Sequence, residues 1–527
     1  MATNPAHVDE GKTFLGHPRG LFVLFFAEMW ERFSYYGMRA LLIFYLVQHW
    51  MFSDSEASVI YGAYTALVYI TPVVGGYLAD RYLGQRKAVL FGAVLLTFGH
   101  FLMAFEGTGG GQADPAINMF WLALSFIIVG SGFLKANISV IVGQLYARTD
   151  IRRDPAYTIF YMGINLGAAL GSLIAGYLGQ TYGWKYGFGA AGIGMLLGLI
   201  VFVIGKPTLL GRGESSNPAR LEQKTLGIKF EWLLYALSFA AVGLVWILIQ
   251  YQSLVGGLLM GAGAILVGYI LYTAVFKLPK DDRDRIFAAL YLIFGSILFW
   301  ALFEQAGSSL NLFTDRSVDR NLFGFDVPAS MFQSINAIYI VLLGPVFAML
   351  WTWLARRGLE PSSPAKFGLG IVQLGLGFLV LVAGATAAGT GNLTPVIFIF
   401  LIYLLHTTGE LCLSPVGLSA MNRLAPAHLA GLIMGTWFFA SATGNFAAGL
   451  IAAAAGAEGA GPEQVIDVYS RVGWIAVGVG VGMIVIAPLV KRLMHLDRLR
   501  DAEPHLAGQE EIGEPQAAGL HTERELK

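Results

Sequence analysis

The feature that most constrains this chain is a series of separate apolar stretches, each about 20 residues long. A helix of that length spans the roughly 30 Å hydrocarbon core of a bilayer, where backbone polar groups must be paired internally. We therefore predict an all-α integral membrane protein with about fourteen transmembrane helices. The predicted spans are 21–50, 57–79, 87–106, 118–142, 157–178, 186–205, 230–250, 254–276, 286–313, 329–355, 367–388, 394–421, 430–453 and 470–491.

Composition excludes several other classes of protein. Only 13% of the 527 residues are charged and the formal net charge is +0, so no nucleic-acid partner is expected. The single cysteine, Cys412, rules out a disulfide within the chain, and no Cys/His cluster has metal-ligand spacing. We expect no metal and no cofactor.

Loop charges predict the orientation and the domain organisation. Basic residues such as Arg86, Lys206 and Arg356 lie in alternate loops, so the positive-inside rule places both termini in the cytoplasm. Two groups of six spans predict two bundles around a central cavity, with the substrate site near the bilayer midplane. The extra pair at 230–276 is interpreted as peripheral packing. The predicted segments are the N-terminus 1–20, a six-helix bundle 21–205, a linker with two extra helices 206–285, a second bundle 286–491 and a disordered tail 492–527.

The first span carries an unusual polar face. Glu28, Arg32, Tyr35 and Arg39 fall almost on one line of a helix, and Glu31 and Tyr36 flank that line. A charge at the centre of a bilayer costs at least ~2.5 kcal/mol, so such residues usually line a cavity or pair with one another. A purely structural ion-pair ladder is the alternative interpretation.

Other spans contain isolated charges and amides. Lys135, Glu304 and Glu410 are predicted to lie inside the membrane, and Pro415 predicts a break or kink one turn beyond Glu410. Charges of both signs together with phenols and amides suit a zwitterion that contains peptide groups. In the fifth span, glycines at 163, 167 and 171 predict close helix packing.

Several motifs resemble those of the proton-dependent oligopeptide transporter family, which belongs to the major facilitator superfamily. The first span reads Glu28-Met29-Trp30-Glu31-Arg32-Phe33-Ser34-Tyr35-Tyr36-Gly37-Met38-Arg39. The loop from Gly75 to Lys87, the run Phe160 to Gly167 and the run Gly409 to Pro415 resemble further signatures. With the arrangement of six, two and six spans, the resemblance covers nearly the whole chain and implies the superfamily fold.

The resemblance also implies roles for individual residues. Proton coupling is assigned to Glu28, Glu31, Arg32 and Lys135. Substrate binding is assigned to Arg39, Tyr36, Tyr69, Lys135, Tyr161, Asn165, Trp300, Phe303, Asn336, Glu410, Ser414 and Trp437. In this scheme Arg39 and Lys135 bind the peptide carboxylate and Glu410 binds its ammonium group. Arg39 and Glu304 are expected to form an outer gate.

The predicted function is a proton-coupled symporter that imports di- and tripeptides by alternating access, with protons as the coupling ion. The protein is expected to act as a monomer in a bacterial inner membrane. Animal members have a histidine where this chain has Gly62, so a proton step on that histidine is not available here. A carrier of nitrate or another small anion or zwitterion is the alternative within the family. An intramembrane enzyme is disfavoured because no nucleophile–base or metal motif is present, and passive conductance would distinguish a channel.

Overall fold

The structure is a computed structural model that describes residues 11–147, 150–389, 391–426, 429–456 and 461–496. The described chain divides into two compact units. The first contains residues 11–41 and 67–250, and the second contains residues 42–66 and 251–496. The unit boundary therefore passes through the first two helices as well as between the two extra helices.

Helices account for most of the first unit. They are α1 (Arg19–Phe44), α2 (Asp54–Leu78), α3 (Gln85–Met103), α4 (Ile117–Gln144), α5 (Arg153–Tyr182), α6 (Trp184–Ile204), α7 (Pro218–Glu222) and α8 (Phe230–Gln250). One π-helical turn, Tyr45–His49, continues α1, and another, Ala79–Leu83, continues α2. The ends of α1 and α2 that adjoin Tyr45–His49 belong to the second unit.

The second unit has the same helical character. Its helices are α9 (Gln252–Lys277), α10 (Lys280–Phe303), α11 (Ser309–Ser317), α12 (Ser334–Arg356), α13 (Ser363–Ala388), α14 (Ile397–Leu424), α15 (Ala430–Ala455) and α16 (Pro462–Leu493). Short 3₁₀ turns cover Glu304–Gly307 and Ala329–Gln333 in this unit, and a further one covers Lys206–Leu209 in the first unit.

The strands of the described chain are two-residue pairs at helix connections. Antiparallel pairs join β1 (Thr13–Phe14) to β2 (His17–Pro18), β3 (Lys224–Thr225) to β4 (Ile228–Lys229) and β6 (Asn321–Leu322) to β7 (Phe325–Asp326). A parallel pair joins β5 (Val318–Asp319) to β8 (Thr394–Pro395).

The predicted spans match the helices closely. In the described chain, 13 helices are long and apolar enough to cross a membrane. Helix α1 is also long enough, at 26 residues, but every 18-residue stretch of it contains Glu28, Glu31 and Arg32. With α1 included, the helices agree with the predicted total of about fourteen. The all-α membrane fold is thereby confirmed, and the charges of α1 become its distinguishing feature.

The structure shows no helix break at Pro415, and the predicted kink there stays a prediction. Helix α14 continues through this position to Leu424, since a transmembrane helix tolerates a proline when its surroundings satisfy the freed carbonyl. The interruption lies instead in the ninth span, where α10 gives way to a 3₁₀ turn at Glu304–Gly307 before α11 begins. A short 3₁₀ segment within a helix commonly marks a hinge or a functional site.

The glycines of α5 allow α1 to approach its backbone. A methyl group at Gly167 would lie 2.1 Å from the carbonyl oxygen of Met29, and one at Gly171 would lie 2.3 Å from that of Phe33. Gly163 likewise faces Phe25. The predicted packing role of this glycine series is confirmed, and it explains how α5 supports the charged helix.

The two extra helices each pack on a different unit. In the first unit, the ring centres of Tyr235 on α8 and Phe91 on α3 are 4.7 Å apart. Lys87 of α3 also forms a 2.8 Å ion pair with Glu231 of α8. In the second unit, Gly256 of α9 contacts the ring of Phe446 on α15. The most apolar windows of α8 and α9 are only 28% and 22% buried, which is consistent with packing at the periphery of each unit.

The linker after α6 is attached to the start of α3 in the first unit. Arg86 donates hydrogen bonds to the carboxylate of Glu214, and the backbone N–H of Arg86 donates to Gly213. These charge-assisted bonds hold the pKa of Glu214 below its ordinary value. The predicted domain boundaries stay a prediction, and most of the predicted tail lies outside the described residues.

Candidate functional site

The acidic triplet of α1 forms a buried charge cluster. The Nε of Arg32 lies 2.7 Å from a carboxylate oxygen of Glu28 and 3.2 Å from one of Glu31. All three residues are at most 2% exposed. Glu28 and Arg32 meet because residues four apart share one face of a helix, and Glu31 reaches the same guanidinium from the adjacent position. One cation therefore serves two acids, which leaves the cluster with a formal excess of one carboxylate when both acids are ionised.

Arg39 lies two turns further along α1 and is also buried, at 6% exposure. Its guanidinium carbon lies 5.7 Å from the centre of the Tyr36 ring, within the range of a cation–π contact. Arg39 belongs to the first unit and Glu304 to the second, so their predicted gate pairing stays a prediction.

Lys135 of α4 lies against two tyrosine rings of the first unit. Its Nζ is 4.3 Å from the ring centre of Tyr35 on α1 and 4.8 Å from that of Tyr69 on α2. Lys135 is 5% exposed and Tyr35 is fully buried. The structure thus places Lys135 beside the charged helix, and of its two aromatic contacts Tyr69 belonged to the predicted site set whereas Tyr35 did not.

Helix α5 contributes an amide to the same unit. Asn165 is buried and donates from its side-chain amide to the carbonyl of Tyr161, at 3.1 Å. This bond leaves the second amide hydrogen and the amide oxygen for other partners. The glycine series of α5 supports α1 from the same helix, so Asn165 and the charge cluster are held on two directly packed helices.

In the second unit, the carboxylate of Glu410 accepts a hydrogen bond from a neutral side chain. The amide of Asn336 on α12 donates to Glu410 at 2.9 Å and to the hydroxyl of Thr407 at 3.0 Å. Thr407 in turn donates to the carbonyl of Tyr403 at 2.7 Å. The hydroxyl hydrogen of Thr407 is donated to the backbone, so the hydroxyl oxygen can only accept from Asn336. This hydrogen bond fixes the orientation of the Asn336 amide. Sequence analysis selected Asn336 and Glu410 but missed Thr407, whose position three residues before Glu410 was the available signal.

Glu304 lies at the interruption between α10 and α11 and is 3% exposed. A buried hydrogen-bond network surrounds the interruption: Gln305 donates to the carbonyl of Ala448 at 3.0 Å and accepts from Ser309 at 2.6 Å. The Ser309 and Tyr469 hydroxyls are 2.6 Å apart. The network fastens the turn to α15 and α16, and the run of glycine and serine at 307–309 was the sequence signal for it.

The predicted aromatic residues lie in two places of the second unit. Trp300 and Phe303 of α10 contact each other edge to face, with ring centres 5.5 Å apart, near Glu304. Trp437 packs on Phe367 and over Gly417 in the apolar core. Ser414 is buried one turn after Glu410. Trp437 is therefore positioned by core packing, and its predicted substrate contact stays a prediction.

The described residues contain no group of three His, Cys, Asp or Glu side chains that could hold a metal ion. The predicted site charges that the structure shows to be buried fall into two sets. Glu28, Glu31, Arg32, Arg39 and Lys135 belong to the first unit, and Glu304 and Glu410 to the second.

Comparison with known proteins identifies the family. The model of the POT family matches residues 86–460. The chain belongs to the POT family. Members of this family are transporters, so the chain is a multi-pass membrane transporter and not an enzyme.

Individual relatives match this POT family chain in sequence or structure along most of its length. It is 38% identical to "Peptide transporter YePEPT" of Yersinia enterocolitica, over 84% of this chain and 88% of the relative. It is 31% identical to "Dipeptide and tripeptide permease B" of Salmonella typhimurium, over 91% of this chain and 97% of the relative. A solved structure of a mutant peptide transporter POT in complex with alafosfalin matches with a TM-score of 0.79 and 35% identity, over 92% of this chain and 97% of that chain.

Proposed function

We propose that this chain is a proton-coupled symporter that imports di- and tripeptides by alternating access. The observation that carries the proposal is the set of buried charges. The first unit holds two cations, Arg39 and Lys135, in addition to the Arg32 cluster, and the second unit holds the carboxylate of Glu410. A peptide has a carboxylate at one end and an ammonium group at the other, and these residues offer a complement to each. The names of the relatives support the same substrate class.

In this proposal the contact of Glu410 with Asn336 is important. The amide of Asn336 donates to the carboxylate of Glu410 and orients it, and an ammonium group of the substrate would interact strongly with this carboxylate in a low-dielectric site. Tyr161, Asn165 and Asn336 supply donors and acceptors for peptide groups. Trp300, Phe303 and Trp437 supply apolar surface for side chains.

Proton coupling is proposed for Glu28, Glu31 and Arg32, together with Lys135. Protonation of one acid removes one partner of Arg32, which strengthens the interaction of Arg32 with the other acid and changes the charge of α1. If that change favours one state of the transporter, the proton and the peptide are linked. An inward proton supplies ~2.3 kcal/mol per 100 mV of membrane potential.

The family alternative is a carrier of nitrate or another small anion or zwitterion. The intact acidic cluster argues against it, since both acids are present and engaged with Arg32. A small inorganic anion would also have no use for the carboxylate of Glu410.

We propose a bacterial inner-membrane location with both termini in the cytoplasm, a monomeric functional unit, and the proton as coupling ion without a cofactor. The charge distribution of the loops supports the orientation. In a Cys412→Ala background, an impermeant thiol reagent applied from outside should label a cysteine at position 109 and not one at position 215. The reverse pattern would contradict the orientation.

Transport by the purified protein in liposomes tests the function. With an inward proton gradient, Ala-Ala and Ala-Ala-Ala should accumulate above their equilibrium levels, and a protonophore should abolish the accumulation. Excess unlabelled dipeptide should compete, whereas nitrate and free alanine should not. Competition by nitrate equal to that by dipeptide would favour the alternative carrier, and protein-free liposomes provide the control.

A further inference from the structure

The hairpin of β3 and β4 presents apolar side chains immediately before a membrane-spanning helix. Its turn residue Leu226 is 88% exposed, and Ile228 of β4 is 46% exposed. Trp232, in the first turn of α8, is 63% exposed. Because α8 begins at Phe230, directly after β4 ends, the hairpin lies at the end of a membrane span, at the depth of the lipid headgroups.

The backbone of the turn gives a reason to look for a partner of Leu226. This residue has a φ of 55°, in the left-handed region that is unfavourable for a branched side chain. Gly227 follows with a φ of 82°, and a turn of this kind usually has Asn or Asp before its glycine. A leucine exposed to water gains nothing that offsets the conformation. An apolar environment around its side chain would offset it, since removal of a leucine from water is favourable.

The hairpin also carries two cations on one face. Lys224 pairs directly with Lys229, and directly opposite residues of an antiparallel pair project from the same face. Like charges in this arrangement repel each other, so the face attracts an anion. Glu222 forms a 2.5 Å ion pair with Lys229, but the two side chains are 62% and 48% exposed, and such a surface pair contributes little. The three residues together keep a net positive charge.

The base of the hairpin is attached to the first unit. The backbone N–H of Phe230 donates to the carbonyl of Gln223 at 2.8 Å. The ring of Phe230 lies 5.3 Å from that of Tyr82 and 5.2 Å from the guanidinium carbon of Arg220, measured from the ring centre. Phe230 is therefore the residue that packs on the protein, while Leu226 at the tip stays exposed.

The hairpin of β1 and β2 repeats this chemistry before α1. Leu15 has a φ of 49°, precedes a glycine and is 76% exposed, and its neighbour Phe14 is 54% exposed. Lys12 precedes β1, and α1 begins directly after β2 ends. Turn geometry favours Asn or Gly at both leucine positions. An exposed leucine before each of two membrane helices therefore points to a common apolar environment.

We propose that the β3–β4 hairpin binds an anionic phospholipid surface, with Leu226 and Trp232 entering the interfacial layer and Lys224 and Lys229 binding lipid phosphates. Apolar insertion and attraction of lysines to anionic headgroups act together in such binding. The contact anchors the linker between α6 and α8 to the membrane. The proposal is independent of the transported substrate, and it takes from the proposed function only the orientation, which makes this the cytoplasmic leaflet.

A spin label attached at Leu226→Cys in a Cys412→Ala background tests the contact. Collisions with the water-soluble agent Ni-EDDA and with O₂, which concentrates in the bilayer, report the surroundings of the label. The purified full-length protein is placed in phosphatidylcholine liposomes with increasing fractions of phosphatidylglycerol, an anionic lipid. Ni-EDDA accessibility should fall and O₂ accessibility should rise as the anionic fraction increases. Lys224→Gln should raise the fraction needed for half of this change ~5-fold, the effect of one lysine near a charged surface.

Two controls separate the hairpin from general effects of charge. Lys277→Gln removes the same charge from an exposed residue at the end of α9, and it should leave the lipid dependence at position 226 unchanged. A label at Ser216, an exposed polar residue of the linker, should stay accessible to Ni-EDDA at every lipid composition.

Three results would overturn the proposal. They are equal accessibility of position 226 in neutral and anionic membranes, equal effects of Lys224→Gln and Lys277→Gln, and dipolar broadening between labels, which would mean that a second copy of the chain covers the hairpin. The measurement requires no transport. Failure of the wild type to transport any dipeptide would therefore overturn the proposed function and leave the lipid contact to be decided by the label.

Discussion

The two units hold their buried acids in different ways. In the first unit, Glu28 and Glu31 share the guanidinium of Arg32 on a single helix, so opposite charges already compensate one another. In the second unit, the carboxylate of Glu410 accepts from the neutral amide of Asn336, which a different helix supplies. In the first arrangement, protonation of either acid changes the balance of charge around one shared guanidinium, whereas in the second the hydrogen bond from Asn336 fixes the orientation of a carboxylate. In the proposed mechanism, the first unit senses the proton and the second unit recognises the ammonium group.

The largest effect is expected from replacing either acid of the cluster, Glu28 or Glu31, by a neutral glutamine, which mimics the protonated acid. Glu28→Gln and Glu31→Gln, made singly, should abolish proton-driven accumulation of dipeptide, since the cluster could no longer alternate between two charge states. At least one of the two should retain exchange of labelled for unlabelled dipeptide, which requires no net proton flux. Two mutants that accumulate dipeptide as the wild type does would place the proton site elsewhere, with Glu304 as the next candidate.

The corresponding substitution in the second unit should impair binding and leave coupling intact. Glu410→Gln is expected to weaken dipeptide uptake by about 10- to 100-fold, the loss of one charge-assisted contact. In this mutant, a dipeptide analogue without the free amino group should be taken up almost as well as the dipeptide itself. If the mutant still prefers the peptide with a free amine as strongly as the wild type does, Glu410 does not bind the ammonium group, and the proposed division of roles between the two units is wrong.

The comparison also depends on the support of α1 by α5. Gly167→Ala would place a methyl group 2.1 Å from the carbonyl oxygen of Met29, so the helices must separate at the charge cluster. We expect a loss of ~1–3 kcal/mol in stability, measured as a lower unfolding temperature in detergent. Gly189→Ala on α6 is the control, because no atom lies within 4 Å of its added methyl group. Equal thermal stability of the two variants would show that the close contact is not required.

The smallest effect is expected from the group that orients Asn336. Thr407→Val removes the hydroxyl that accepts the Asn336 amide and should raise the apparent dipeptide KM about 5-fold, which corresponds to ~1 kcal/mol. Thr407→Ser keeps the hydroxyl and should behave nearly as the wild type does. If Thr407→Val behaves as the wild type does while Thr407→Ser is impaired, the methyl group rather than the hydroxyl group of Thr407 matters.

The sequence by itself determined the elements that depend on local pattern. Long apolar runs can satisfy their backbone in a membrane only as helices, so most spans were predictable to within a few residues, although α10 begins at Lys280 and α16 at Pro462, earlier than the predicted 286 and 470. The polar face of α1 was predictable because helical periodicity places Glu28 and Arg32 on one line. The motifs were sufficient to predict the family, which the match over residues 86–460 confirms.

Tertiary structure decided which of two adjacent tyrosines contacts Lys135 and where a helix is interrupted. Tyr35 and Tyr36 are indistinguishable in sequence, and only the packing of α4 against α1 and α2 brings Lys135 to Tyr35. Pro415 carries the stronger local signal for a break, yet α14 continues through it, while the ninth span breaks at Glu304. There the side chains of Gln305, Ser309 and Tyr469 form buried hydrogen bonds beside a turn whose helical backbone pattern is interrupted. Such compensation comes from residues far apart in the chain, which periodicity and propensity along the sequence do not report.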